Sequence, residues 1–274
     1  MSIHIGTQGW NYDAWVGGFY PPGTRAQDYL DLYVKVFETV EVDSTFYAAP
    51  AESTIQSWTA RAPAGFTWSL KLPREMSHEN RLVDCGAALL RFCERARCFG
   101  AQLGLILIQL PPDMSPRAFA SLARFLDLLP LDIDFAVEFR DRAWLAPENA
   151  ETLLDVLREH KTALALTDSK WIPRELIFEL LPQLIAAPTA DFAYVRWMGP
   201  RELTDFSRVQ INRDTELAEW TTAIAQLRTS VRRIHGYFNN HYMGHSPASA
   251  NQFRALLGQT PVSPETLITQ PSLF

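Results

Sequence analysis

Eight short apolar runs in this chain end in polar or ionisable residues, and those residues carry whatever chemistry the sequence holds. The first run ends in Gln8, followed by Trp10, Asn11, Tyr12 and Trp15. The second carries Glu41, Asp43 and Thr45, which period-2 alternation places on one face, with Val40 and Val42 on the other. The third ends in Lys71, in phase with Thr67 and Ser69, and His78 follows it. Gln109 ends the fourth, Glu138 and Arg140 the fifth, Asp168 the sixth. Arg196 ends the seventh, in phase with Tyr194, and Asn239, Asn240 and His241 end the eighth.

These residue types suggest two chemistries. Glu138, Asp168 and Glu41, with Lys71, are candidates for acid–base catalysis. Lys71, Arg140 and Arg196 suit a clamp on a phosphate or carboxylate. A Schiff-base role for Lys71 would require a depressed pKa. Asp43, Thr45, Tyr47, Gln109, Asn239, Asn240, Trp10, Tyr12 and His78 are the remaining candidate substrate contacts. The aromatic ones either anchor loops or stack on a sugar or base. Against all this stands a plainer reading, in which Glu41 pairs with Lys71 or Arg196 in a closed ionic core. Three carboxylates (Asp43, Glu138, Asp168) could also bind a hard cation. The six histidines, however, follow no ligand-spacing motif, so neither a metal nor another cofactor is expected.

To position such a set, the apolar runs must be strands. They cover 3–6, 39–45, 66–71, 104–110, 134–138, 163–168, 192–197 and 234–239. Helical periodicity fills the gaps: Tyr29, Leu32, Tyr33, Val36 and Phe37 share one face, as do Phe119, Leu122, Phe125, Leu126 and Leu129, and Leu217, Trp220, Ile224, Leu227 and Val231. Pro116, Pro147 and Pro173 stand where helices open. Eight units in 274 residues give about 34 residues each, the interval of a repeated βα unit. A doubly wound sheet would carry a glycine-rich phosphate turn after its first strand, but Gly6-Thr7-Gln8-Gly9-Trp10 is not one. The expectation is an α/β chain forming a single (β/α)8 TIM-type barrel over 1–257. A tail over 258–274 follows, punctuated by Pro261, Pro264 and Pro271.

Composition bounds the function. With 47% hydrophobic and 12% aromatic residues the chain can fill a sizeable core, which excludes disorder. A net charge of -6 excludes a generally basic nucleic-acid coat, though not a local basic groove. No apolar run reaches the roughly 18 residues of a membrane span, and the start lacks a secretory pattern, so a cytoplasmic protein with no membrane association is expected. Cys85, Cys93 and Cys98 match no zinc spacing and read as small buried hydrophobes.

Several segments, in order, carry a family likeness: GTQGWNYDAWVGGFYPPG (6–23), VEVDSTFYAAP (40–50), SLKLP with His78 (69–78), LILIQLPP (105–112), VEFRDRAW (137–144), YVRWMG (194–199) and YFNNHYMGHSPASAN (237–251). Together they resemble the YecE-like family, domain of unknown function 72, across nearly the whole chain. The resemblance implies a TIM-type barrel and brings no established activity. At fold level the family is similar to barrels acting on sugars and on abasic DNA. The chain departs from the family pattern at Asp43 (commonly Asn), Gln8 (commonly Ser) and Trp197-Met198 (often Leu-His), the last removing a histidine after strand seven. Gln270, Leu273 and Phe274 resemble a bacterial sliding-clamp-binding pentapeptide, with Pro271 in place of the usual Leu. The expected function is an enzyme acting on a phosphate-bearing or anionic sugar-type ligand through acid–base chemistry at the barrel rim. The alternative is a nucleic-acid-binding protein of DNA maintenance recruited to the clamp, and a third reading is a non-catalytic interaction protein.

Overall fold

The structure, a computed structural model, describes residues 2–267. Its strands are β1 (Ser2–Gln8), β2 (Thr39–Val42), β3 (Thr67–Lys71), β4 (Leu103–Gln109), β5 (Phe135–Glu138), β6 (Ala163–Ser169), β7 (Phe192–Gly199) and β8 (Arg233–Phe238). All pair in parallel and in chain order, and β8 closes back on β1. Each of the eight apolar runs has therefore become one strand of a closed TIM-type barrel. The connections carry α1 (Tyr29–Tyr33), α2 (Glu52–Arg61), α3 (Gly86–Arg97), α4 (Phe119–Leu126), α5 (Pro147–Glu159), α6 (Arg174–Ala186) and α7 (Asp214–Leu227). After β8 come α8 (Asn240–Met243) and α9 (Ser246–Leu256). Pro147 opens α5, where its missing N–H costs nothing, and Pro173 caps α6. The helix expected over 29–37 stops at Tyr33, although Val36 and Phe37 stay buried.

Strand alternation divides the apolar residues into two cores. Val40, Trp68, Ile106, Val137, Leu166, Val195 and Phe238 pack outward against the helices in the larger one. Leu105, Leu107, Ala136, Ala163, Ala165, Phe192, Tyr194 and Tyr237 fill the barrel interior in a smaller one. The interior is narrow where β1 meets β2. A Cβ at Gly6 would come within 2.3 Å of the Thr39 carbonyl oxygen, so only glycine fits there.

Two further expectations need correction. β2 ends at Val42 instead of running to Thr45, because a 3-10 turn (Asp43–Phe46) takes over. The turn exists because Thr45 Oγ1 accepts the Lys71 N–H and donates within range of the Val42 and Lys71 carbonyls, supplanting the strand ladder. Asp43 and Thr45 therefore do not share a strand face with Glu41. Cys98 is exposed, at the carboxyl cap of α3, whereas Cys85 and Cys93 are buried as expected. Beyond α9 the chain lies along the barrel floor: Gln259 Nε2 donates to the Ile3 carbonyl, and Leu267 is buried. Gln270, Leu273 and Phe274 lie outside the described residues. Among the described residues, no helix is long and apolar enough to cross a membrane.

Candidate functional site

Inward-facing positions at the carboxyl ends of β2, β3, β4, β5 and β7 bring Glu41, Lys71, Gln109, Glu138 and Arg196 into one layer at the barrel mouth. Arg196 is its centre and is 1% exposed. Its Nε and Nη2 donate to both oxygens of Glu41, at 2.9 and 2.5 Å, and its Nη1 donates to Glu138. Tyr194 adds its hydroxyl hydrogen to Glu41, and Gln109 and Arg140 donate to Glu138 at 2.9 and 2.8 Å. Each carboxylate oxygen is thus occupied, which a charge buried this deeply requires.

These contacts set protonation. Burial alone would raise Glu138, yet Arg196 and Arg140 outweigh it and hold the carboxyl down to about 2. Glu138 is therefore an ionised anchor at neutral pH, with no proton to give. Burial pushes Glu41 up to about 7 against the opposing Arg196, with Asp43 adding to the rise. The ionised Glu138 and the hydrogen-bonded Glu41 together occupy Nε, Nη1 and Nη2 of Arg196, so Arg196 is unsuited to clamp an incoming anion. The closed ionic core weighed against a site is real for these three residues.

The next residues out are differently placed. Lys71, 7% exposed, makes no hydrogen bond through Nζ among the described residues. Its nearest carboxylate oxygen is Asp43 Oδ1 at 3.9 Å, and the Phe46 ring centroid is 4.1 Å away. Burial lowers its pKa to about 8, Arg196 acting in the same sense and Asp43, Glu41 and Glu138 opposing. Asp43 Oδ1 is buried and lacks a hydrogen bond, although its side chain is 34% exposed and Arg196 Nη2 stands 3.7 Å away. Arg140 spends only its Nε, on Glu138, and lies 6.0 Å from the Trp171 ring. His78, on a single π-helical turn (Glu75–Glu79), faces Phe46; burial, then Arg140, Lys71 and Arg74, push its imidazole down to about 4.

Other expected contacts stand elsewhere. Asp168 stands in register with Trp197 while its neighbour Thr167 stands in register with Arg196, and Asp168 accepts hydrogen bonds from Trp220 and Tyr242 in the helix layer. Trp10 packs edge-on to Trp58 and Trp68 outside the barrel, so it anchors its loop. Asn240 is buried and accepts from Trp15 and Ser246, and Thr45 is held by backbone. Asn239 donates to Gln8 Oε1 and caps α8, at the edge of the mouth. Tyr12 leans on the Gln8 carbonyl beside Asp43 and Glu41, which with burial raise its hydroxyl pKa. Tyr47 is 79% exposed on the rim.

One residue escaped the sequence reading. Arg201, two residues past β7, is exposed to solvent, yet its guanidinium feels partial burial and the charges of Arg140 and Arg196, which lower its pKa and mark it as a cation neighbouring theirs. Its backbone sits at φ +66, a costly conformation for a non-glycine residue. It follows Gly199, also at φ +66, where a Cβ would come within 2.3 Å of the His241 carbonyl oxygen. The only advance signal was a basic residue directly after a Gly-Pro strand end. Among the described residues, no group of three His, Cys, Asp or Glu side chains is placed to hold a metal ion.

A family model described as a protein of unknown function, DUF72, matches residues 4–271. The chain belongs to the DUF72 family. Two curated relatives agree. UPF0759 protein YunF of Bacillus subtilis is 25% identical over 281 residues, covering 93% of this chain and 94% of YunF. UPF0759 protein YecE of Escherichia coli is 28% identical over 169 residues, and that match spans only 60% of YecE and 61% of this DUF72 chain. Among solved structures, a DUF72 protein from Thermotoga maritima (TM1631) superposes with a TM-score of 0.78 at 23% identity, covering 94% of this chain and all of its own. D-psicose 3-epimerase of Clostridium cellulolyticum, solved with D-tagatose, reaches a TM-score of 0.54 at 14% identity over 91% of this chain and 89% of its own. These likenesses concern the fold.

Proposed function

We propose that this DUF72 chain is an enzyme of the cytoplasm that binds an anionic, phosphate-bearing sugar-type compound at the barrel mouth and moves protons there. The observation that carries the reading is the contrast in polar satisfaction: Glu41, Glu138 and Arg196 complete one another, while Lys71 Nζ and Asp43 Oδ1 stand 3.9 Å apart without hydrogen bonds. The Lys71 ammonium and the buried Oδ1 of the half-exposed Asp43 gain by meeting a polar ligand. Arg140 and Arg201 supply the charge that holds the anionic end, through fork geometry suited to phosphate. Lys71 and Asp43 are the acid–base pair, and Glu41, Glu138 and Gln109 keep the surrounding cations in place. The sugar half of the ligand is supported by fold likeness to an epimerase solved with D-tagatose.

Titration calorimetry with D-ribose 5-phosphate, D-ribose and inorganic phosphate tests this. The phosphorylated sugar is expected to bind at least ~10-fold more tightly than D-ribose, with Arg140→Ala and Arg201→Ala each losing that preference. Equal affinity for both sugars, or no binding by either, overturns the reading.

A second reading, recognition of single-stranded nucleic acid, is favoured by Tyr47, 79% exposed on the rim with Phe46 edge-on to it at 5.3 Å. Anisotropy of labelled single-stranded DNA across a salt series decides it: binding that falls steeply with salt and is lost in Tyr47→Ala supports it, and none at low salt removes it.

A further inference from the structure

We propose that Lys71 is a covalent catalytic residue: its Nζ forms a reversible Schiff base with the carbonyl carbon of an aldose or ketose bound in the mouth. This deepens the reading above and rests on its placement of the ligand, while assigning Lys71 a bond-forming role in place of simple charge recognition.

The chain has 25 lysines and arginines, of which only Lys35, Lys71, Lys161 and Lys170 are lysines. Lys35, Lys161 and Lys170 are exposed, and the buried cations Arg196 and Arg254 are arginines. Where this protein needs a fixed buried charge, it uses guanidinium, which stays protonated and bonds carboxylates with two prongs. At the end of β3 it uses the one cation able to become a nucleophile by losing its proton.

Nothing among the described residues holds the proton on Nζ by a hydrogen bond; Asp43 Oδ1 at 3.9 Å is too distant for one. The charged groups facing the amine are Asp43 from the turn after β2, Glu41 from β2, Glu138 from β5 and Arg196 from β7, with the neutral His78 beyond. Two of those carboxylates are already spent on Arg196. A desolvated amine beside a guanidinium is the arrangement that frees a lysine lone pair near neutral pH, in keeping with the lowering of its pKa to about 8.

The step balances without a further reactant. The neutral amine adds its lone pair to the carbonyl carbon, and the carbonyl π pair moves to oxygen. Asp43 takes the proton from nitrogen and passes it to that oxygen, giving a carbinolamine. A second transfer by the same route expels the oxygen as water as the C=N bond forms. Amine and carbonyl become imine and water.

The full-length protein, incubated at pH 7 with D-glyceraldehyde 3-phosphate or unphosphorylated D-glyceraldehyde and sodium cyanoborohydride, tests this by peptide mass mapping. The three exposed lysines are internal references in the same molecule. Lys71 is expected to be reductively alkylated at least ~10-fold faster than Lys35, Lys161 or Lys170, and its lead is expected to shrink as the pH rises past about 8 toward 10. A Lys71 rate no greater than the references overturns the proposal, because the wild-type fold is intact in that measurement. Preferential labelling of Lys71 by both probes equally supports the Schiff base while counting against a phosphate-bearing substrate. Sugar-phosphate binding in calorimetry without labelling of Lys71 leaves the anion site standing and removes the covalent step. Asp43→Asn is expected to slow labelling of Lys71 at least ~10-fold with the reference lysines unchanged; an unchanged Lys71 rate removes Asp43 from the step.

Discussion

Two polar layers sit inside the same barrel, two residues apart along β2 and β3, and they are built to different ends. The inner layer is neutral. The Tyr237 hydroxyl meets Thr39 Oγ1 at 2.6 Å and Ser69 Oγ at 2.7 Å, and Thr67 Oγ1 donates to Thr39 Oγ1 at 2.8 Å. None of these atoms is left without a partner. The outer layer is ionic, and it divides in two: the Glu41–Arg196–Glu138 triad is as complete as the hydroxyl layer, whereas Lys71 and Asp43 are not. Satisfaction, more than charge, separates scaffold from site here. A buried ionic group whose partners are all present is a structural element, whatever its residue type suggests.

The largest effect should come from breaking the complete half of the outer layer. Arg196→Met would strand two buried carboxylates, and a loss of about 3–5 kcal/mol is expected in denaturant unfolding. A loss below about 1 kcal/mol would show that the triad does not hold the barrel mouth together. Next comes the barrel floor, where His235 is buried and its ring stacks on His4 at 5.3 Å. Burial, then His4 and Arg233, lower the His235 pKa to about 3. Because the folded value lies below the unfolded one near 6.5, its contribution to stability is fully present above pH 6.5. It is lost as the pH falls toward 3, at up to about 1.4 kcal/mol per pH unit. His78 and His245, each near 4, act in the same direction. His235→Gln is expected to flatten the stability profile between pH 6.5 and 4; an unaltered slope would assign the acid sensitivity to other depressed histidines, among them His4, His78 and His245.

The eight strands were legible because each is a short apolar run and the runs recur at βα spacing, signals that survive in any barrel. The polar residues ending those runs were legible too, and Glu41, Lys71, Gln109, Glu138 and Arg196 do meet. What could not be read was the phase at the strand ends. Asp43 and Thr45 were expected to continue the alternation of β2, but the Thr45 hydroxyl replaces the ladder with a 3-10 turn. Asp168 ends an apolar run, as a rim residue would, but the inward position beside Arg196 belongs to Thr167. Arg201 reaches the mouth through a left-handed backbone turn, which no periodicity records. Hydrogen-bond saturation, which separates Glu138 from Asp43, is a property of distances alone.

The neutral layer offers a calibrated comparison. Tyr237→Phe removes the hydroxyl that links Ser69 to Thr39 and is expected to cost about 1–2 kcal/mol, with ligand binding at the mouth unchanged. A change in binding would mean that the two layers are mechanically coupled.

The smallest expected effect on stability is the most informative about function. Asp43 touches its cations at 3.9 and 3.7 Å, its side chain is 34% exposed, and its buried oxygen makes no hydrogen bond. Asp43→Asn should therefore shift unfolding by less than about 0.5 kcal/mol. If Asp43 serves proton transfer, the same variant leaves sugar-phosphate affinity unchanged or slightly raised, since a negative charge has left an anion site. The labelling rate of Lys71 should nonetheless fall. A scaffold residue shows the opposite pattern, with stability lost and chemistry following it down. A substantial loss of stability in Asp43→Asn would move Asp43 into the company of Glu41 and Glu138, and the division of the outer layer into a finished and an unfinished half would no longer hold.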